Sequence, residues 1–193
     1  YCRRVHADRI LFSTTVFDIS LFATDGTVLK PDLPYNFSYK GDHAVYVITK
    51  NTAIELLEHY HQEYGLKKFV FRFPTIYSYS PYHYYFPNGK KTLRPVYRMI
   101  ELAMKGEPIE LWGNPDYSKD MVHVYDCAQM LCEAVEADRE EGFYNVGTGI
   151  PVTLKEQIET IIEVFSPKDH PSQIVYRPDL PASGGFLMDV ENA

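Results

Sequence analysis

Short apolar runs alternate with longer stretches of helical periodicity along most of this sequence, an order that favours a sheet of parallel strands crossed by helices. Arg9-Ile10-Leu11-Phe12 reads as a strand that delivers three hydroxyls, Ser13, Thr14 and Thr15, at its carboxyl end. From 42 to 64, Val45, Thr49, Ala53, Leu56, Leu57, Tyr60 and Tyr64 recur at helical spacing, and Gly65 supplies the stop. Lys68 to Phe73 reads as the next strand, ending at Pro74-Thr75. A second helix is expected over 93–105, with Thr92 as N-cap, Pro95 in the first turn and Gly106 after the end. The run from Lys119 to Asp126 leads from a strand into a third helix, capped by Asp126 and reaching about Ala137. Gly142 to Gly147 is another strand. Thr153 with Glu156 three residues on is a capping box that opens a fourth helix toward Phe165. There is no internal repeat and no low-complexity tract.

Inside the first helical stretch stands Tyr46-Val47-Ile48-Thr49-Lys50. Residues four apart on a helix share a face, so the phenol and the ammonium point into the same space. A free phenol ionises near pH ~10, and a neighbouring cation favours its charged form, which makes such a pair a poised acid and base. A tyrosine and a lysine at this spacing also occur on plain surfaces, and the three hydroxyls also read as a capped turn. What separates this pair from those is the strand end just upstream, because open α/β sheets bind ligands at the carboxyl ends of their strands.

Composition excludes several classes of function. At 193 residues and 45% apolar, the chain is long enough for a sizeable core. A formal charge of −7 argues against a nucleic-acid partner. Cys2, Cys127 and Cys132 give an odd count without metal-type spacing, so buried thiols in a reducing compartment are expected. No signal-peptide pattern or long apolar run is present, and the expectation is a soluble, cytoplasmic protein off the membrane. His59 and His61 face different directions on a helix, and no metal site is expected.

The hydroxyl cluster before Tyr-x-x-x-Lys, the strand end Arg72-Phe73-Pro74, and the segment Lys119-Asp120-Met121-Val122-His123-Val124-Tyr125-Asp126 stand in a telling order and at telling intervals. Together they resemble the extended short-chain dehydrogenase/reductases, the family of NAD-dependent nucleotide-sugar epimerases and dehydratases. The last segment is similar to the family's Arg-Asp-aromatic-x-His-Val-x-Asp, and the resemblance covers essentially the whole chain. It implies an α/β fold: the second half of a Rossmann-type parallel sheet over residues 1–77, then a mainly substrate-binding α/β domain over 78–193. Part of that second stretch is expected to return to the Rossmann side after His123. The Gly-x-x-Gly-x-x-Gly turn with which the family begins is not among these residues, so this stretch is expected neither to hold NAD by itself nor to be active alone. Gly147-Thr148-Gly149 follows a strand and precedes a helix, but Val152 stands where a third glycine would be and Pro151 interrupts the turn. It reads as a plain connection.

The resemblance implies NAD, with NADP left open, and a nucleotide-diphosphate sugar as substrate. It makes Tyr46 the general base, with Lys50 favouring its ionised form and binding the nicotinamide ribose. Thr15, or Thr14 because the loop to Phe17 is short, would bond the reacting oxygen. Ser13, Phe73, Pro74 and Thr75 join Tyr46 and Lys50 around the cofactor. Thr92 falls where the family's Asn-Leu contacts substrate, and Lys119 and Arg177 would clamp the diphosphate. Lysine replaces the usual arginine at 119, a point charge in place of a two-pronged donor. Phe17-Asp18 and Tyr77-Ser78 also depart from the family's common residues. Val16-Phe17 follow Thr15 where sugar dehydratases carry an acid pair, so an epimerase ranks above a reductase or dehydrogenase, and both above a dehydratase. The aromatic run from Tyr77 to Phe86 reads as a stacking surface for a base or sugar, or as a packed loop or subunit contact. A non-catalytic relative that binds a nucleotide or a protein through that run is the reading from another class. A homodimer through the helix bearing Tyr46 is also implied.

Overall fold

The computed structural model describes residues 2–24, 26–41, 43–181 and 185–193, and the chain divides into two compact units. The first unit runs to Tyr77 and takes in Asp120–Pro151 and Gly185–Ala193; the second comprises Ser78–Lys119 and Val152–Gly184.

The first unit holds strands β1 (Arg9–Thr15), β2 (Val28–Leu29), β3 (Lys67–Phe73), β4 (Thr75–Tyr77), β9 (Met121–His123), β10 (Glu141–Asn145) and β13 (Leu187–Met188), with helices α1 (Ala44–Tyr64) and α3 (Val124–Glu136). Its centre is a three-stranded parallel sheet in the order β1-β3-β10, with Thr14 paired to Arg72 and Thr15 to Phe73. Strand side chains alternate between faces, and β3 uses both. Phe69, Phe71 and Phe73 pack with Leu11 against Cys127, Met130, Leu131 and Ala134 of α3. The intervening residues face α1: the Lys50 ammonium lies 4.9 Å from the centre of the Phe12 ring. Burial on both faces explains why β3 reads as a nearly continuous apolar run. Two short parallel pairs, β4 with β9 and β2 with β13, extend the unit, and Val16, Ile19, Leu29 and Met188 form a second cluster there.

The second unit holds β5 (Tyr84–Tyr85), β6 (Thr92–Leu93), α2 (Pro95–Lys105), β7 (Ile109–Trp112), β8 (Ser118–Lys119), β11 (Val152–Thr153), α4 (Leu154–Phe165) and β12 (Ile174–Arg177). Ala103 of α2, Ile109 and Leu111 of β7 and Ile158 of α4 make its core. The capping box forms as expected: Glu156 N donates to Thr153 Oγ1 at 3.0 Å, and Thr153 N donates to Glu156 Oε2 at 2.7 Å.

Two expected helix caps are corrected, and α1 turns to the sheet a face other than its apolar stripe. Thr92 is not an N-cap; it lies in β6 opposite Tyr85, and Arg94 caps α2 with Pro95 as the first helical residue. Asp126 does not cap α3; His123 does, its Nδ1 accepting from Tyr125 N at 3.4 Å, which leaves Asp126 in the first turn where its charge suits the helix dipole. The apolar stripe on α1 is not the buried one. Val45 is 71% and Leu56 55% exposed, and the face against the sheet is Ala44, Val47, Asn51 and Ile54. The expected start of this helix at position 42 lies outside the described residues, and Gly65 closes it in the left-handed region at φ 65°. No helix among the described residues is long and apolar enough to cross a membrane.

Candidate functional site

The carboxyl end of β1 carries Ser13, Thr14 and Thr15, and the first turns of α1 carry Tyr46 and Lys50. Lys50 Nζ donates to Ser13 O at 2.7 Å and lies 3.2 Å from Ser13 Oγ. Two of the three N–H bonds of the ammonium are thereby tied to the strand. The half-exposed Tyr46 ring lies on the same flank of α1, its centre 5.8 Å from Lys50 Nζ. The helix is therefore pinned to the strand through the lysine, and the phenol stands beside the pin.

The two threonines differ from Ser13. Thr15 is buried and its Oγ1 accepts from Phe17 N at 3.3 Å, capping the 3-10 turn that follows β1. As a hydroxyl it still has a proton to donate. Thr14 is buried on the α1 face and its Oγ1 makes no hydrogen bond among the described residues. Phe73 packs into the sheet core, Pro74 breaks the chain between β3 and β4, and Thr75 is exposed at the strand end.

A buried ion pair fixes these strand ends. Arg72 Nε and Nη2 both donate to Asp18 Oδ2 at 3.1 Å, and both residues are withdrawn from solvent. Asp18 Oδ1 lies 3.0 Å from Nε off the N–H direction, in charge contact without a hydrogen bond. Arg72 Nη1 donates to Pro31 O and Asn145 Oδ1, and Asn145 Nδ2 donates onward to Leu29 O. Burial pushes the Asp18 carboxyl up, and the Arg72 cation draws it back. The carboxylate of Asp18 is the counter-charge of Arg72.

Gly147-Thr148-Gly149 wraps an anion that belongs to the protein itself. Asp120 is fully buried, and its carboxylate accepts from Thr148 N at 2.8 Å, Gly149 N at 3.0 Å, Met188 N at 3.2 Å and Thr148 Oγ1 at 3.1 Å. Backbone N–H groups of the kind that cradle a phosphate are filled here by a side chain. A Cβ at Gly147 would stand 2.7 Å from Asp120 Oδ2. Gly147→Ala is accordingly expected to destabilise the protein by about 1–3 kcal/mol, read as a lower urea midpoint at unchanged slope; an unaltered midpoint would refute this packing.

The remaining candidates lie in the second unit. Thr92 Oγ1 donates to Lys90 O at 3.1 Å. Burial draws the Lys119 ammonium below its ordinary value, and its backbone pairs with Val152. Arg177 donates to Glu110 at 2.9 Å and to Asp179 at 3.2 Å, so carboxylates engage its fork. In the aromatic run, Tyr97 Oη donates to Ser80 O at 2.9 Å and His83 stacks on Tyr97, whereas Tyr79, Tyr82 and Phe86 remain exposed. A cleft of about 770 Å³ in the first unit, lined by Tyr35, Glu55, Glu58, Lys68, Arg72 and Phe143 among others, includes none of Ser13, Thr15, Tyr46 or Lys50. The sequence names Asp18 and Asp120 within its motifs but discloses no role for either, and it does not single out Asn51; the departure at Phe17-Asp18 was the available signal for the first.

The model of the NAD dependent epimerase/dehydratase family matches residues 1–147. GDP-L-fucose synthase of Escherichia coli (strain K12) is 26% identical over 145 residues, 69% of this chain and 44% of that protein. dTDP-glucose 4,6-dehydratase of Salmonella typhimurium (strain LT2) is 28% identical over 181 residues, 91% of this chain and 44% of that protein. The solved UDP-glucose 4-epimerase of Thermotoga maritima, with UDP-glucose, matches at a TM-score of 0.75 and 22% identity, over 100% of this chain and 58% of that one. UDP-glucose 4-epimerase of Thermus thermophilus, in complex with NAD, matches at 0.67 and 20%, over 98% of this chain and 58% of that one. These two structures share the fold. The chain thus spans less than half the length of the curated relatives and under two thirds of the solved ones.

Proposed function

The chain belongs to the NAD dependent epimerase/dehydratase family, and on that premise we propose that the whole protein is an epimerase of nucleotide-diphosphate sugars working through a transient keto-sugar. The observation that carries this reading is the Lys50 ammonium held at 2.7 Å on Ser13 O, which fixes the helix presenting Tyr46 beside the end of β1. The residues present fit the nicotinamide end of the cofactor: a half-exposed phenol, an ammonium with a third N–H to donate, and strand-end residues from Phe73 to Thr75. When bound, the nicotinamide supplies a reversible hydride acceptor.

Tyr46 takes the proton of the sugar hydroxyl as its carbon is oxidised, and returns it when the keto-sugar is reduced on its other face. Lys50 holds the ribose beside the phenol, and the Thr15 hydroxyl donates to the reacting oxygen. Removing the base and removing the cation therefore affect one step. Val16 is buried and the Phe17 ring stacks 4.3 Å from His43, so neither supplies the acid that water elimination needs, which supports epimerisation over dehydration. In this reading the first unit carries the cofactor and the second, through Thr92, Lys119 and Arg177, the substrate. The whole protein incubated with NAD and a panel of UDP-, dTDP- and GDP-sugars should yield one epimer by proton NMR; unchanged spectra for every sugar, with no NAD carried through purification, would defeat the proposal.

The outward face of α1 supports a homodimer. Val45, Leu56 and Tyr60 lie there exposed, opposite the face against the sheet. Leu56→Glu is expected to shift the sedimentation coefficient of the whole protein from dimer to monomer. A variant that sediments as the parent does would exclude this face.

A further inference from the structure

Thr14 and Asn51 are two polar side chains that the protein buries without bonding. Thr14 is 3% exposed and Asn51 7%, and neither Thr14 Oγ1 nor either amide atom of Asn51 has a hydrogen-bond partner among the described residues. Both stand next to the contact that pins α1 to β1: Thr14 follows Ser13, and Asn51 follows Lys50. Both belong to the layer between the sheet and α1. The Phe12 ring lies under Lys50, so Thr14, two residues on, projects from β1 toward α1. Asn51 belongs to the face that α1 turns to the sheet, together with Val47 and Ile54. Arg72, the neighbour of Thr14 across the sheet, and Asp18, whose Oδ1 also lacks a hydrogen bond, add charge to this layer.

Buried amides and hydroxyls in native proteins are nearly always satisfied, and where no protein group does so an ordered water with two to four polar partners does. We propose that Thr14 and Asn51 together hold ordered water beneath the first half of α1, and that this makes both of them positioning residues for the Tyr46–Lys50 pair. The chemistry of the pocket suits water: a hydroxyl that donates or accepts, and an amide that offers both two donors and an acceptor. Its place suits the second role, because water bridging the strand end and the helix sets the height and rotation of α1 where Lys50 reaches Ser13. The positioning role rests on the epimerase reading above; the water site does not.

The test is a double-mutant cycle in the whole protein with the near-isosteric variants Thr14→Val and Asn51→Leu. Each single variant leaves the water short of a partner and is expected to lower the folding equilibrium constant about tenfold, while the double variant, which removes the site, falls about tenfold short of the summed loss. Additive losses would overturn the shared site. At a temperature where every variant is folded, the double variant is expected to lose about tenfold in kcat with KM within about twofold, and Thr14→Ser to restore kcat. A double variant with parental kcat would overturn the positioning role. If the parent itself converts no sugar nucleotide, the epimerase reading fails, and the folding cycle alone still decides for or against the water.

Discussion

Tyr46→Phe in the whole protein is expected to lower turnover at least about a hundredfold while the unfolding midpoint stays where it was, the loss typical of removing a positioned general base. The substitution deletes one oxygen and keeps the ring. That ring is half-exposed on the flank of α1, where its neighbour is the Lys50 ammonium, so the fold has little to lose. Lys50 keeps its bonds to Ser13 O and Oγ in the variant, and a fall in rate therefore reports the missing proton acceptor and not a displaced helix. Kinetics on the preferred sugar nucleotide, with circular dichroism on the same samples, make the comparison. A variant that retains more than half of the parental activity would remove Tyr46 from the chemistry.

The second large effect concerns the fold. Asp18→Ala strips the fully buried Arg72 of its counter-charge and leaves a guanidinium held, among the described residues, by Asn145 and backbone carbonyls. Breaking a buried pair from one side typically costs about 3–5 kcal/mol, because the surviving charge has lost its partner but not its desolvation. Much of the stability of a single domain is at stake. Replacing both residues, as Asp18→Leu with Arg72→Met, removes the uncompensated charge and should recover most of the loss. Urea unfolding of the three proteins measures this, and an Asp18→Ala midpoint equal to that of the parent would show that the pair is dispensable.

What the sequence reveals and what it hides divide along physical lines. The strands β1, β3 and β10 are legible because their apolar runs end at Gly, Pro or hydroxyl residues, and α4 is legible because Thr153 and Glu156 meet within one turn. The α1 stripe misleads because periodicity shows that a helix has an apolar face without showing which way it turns. Here Val45 and Leu56 look outward, while the sheet is met by Ala44, Val47 and Ile54 around a polar Asn51. The two-residue pairs of β2 with β13 and β5 with β6 are too short to carry any period.

In the site, spacing alone places Tyr46 and Lys50 on one flank, but the atom that receives the ammonium, Ser13 O, lies 37 residues away in sequence. The Asp18–Arg72 pair spans 54 residues and is equally invisible to local pattern. Pro151 and Val152 are reason enough to set Gly147-Thr148-Gly149 aside as a phosphate loop. That its N–H groups already enclose Asp120 emerges only from the folded chain.

In the proposed reaction α1, pinned to Ser13 by Lys50, holds the phenol of Tyr46 where a sugar hydroxyl gives up its proton. A structure of the whole protein with NAD and its nucleotide sugar measures this most directly. The Tyr46 oxygen is expected within about 2.6–3.2 Å of that hydroxyl, with Lys50 still on Ser13. A sugar bound away from α1, or a phenol turned from it, would mean that Tyr46 is not the base.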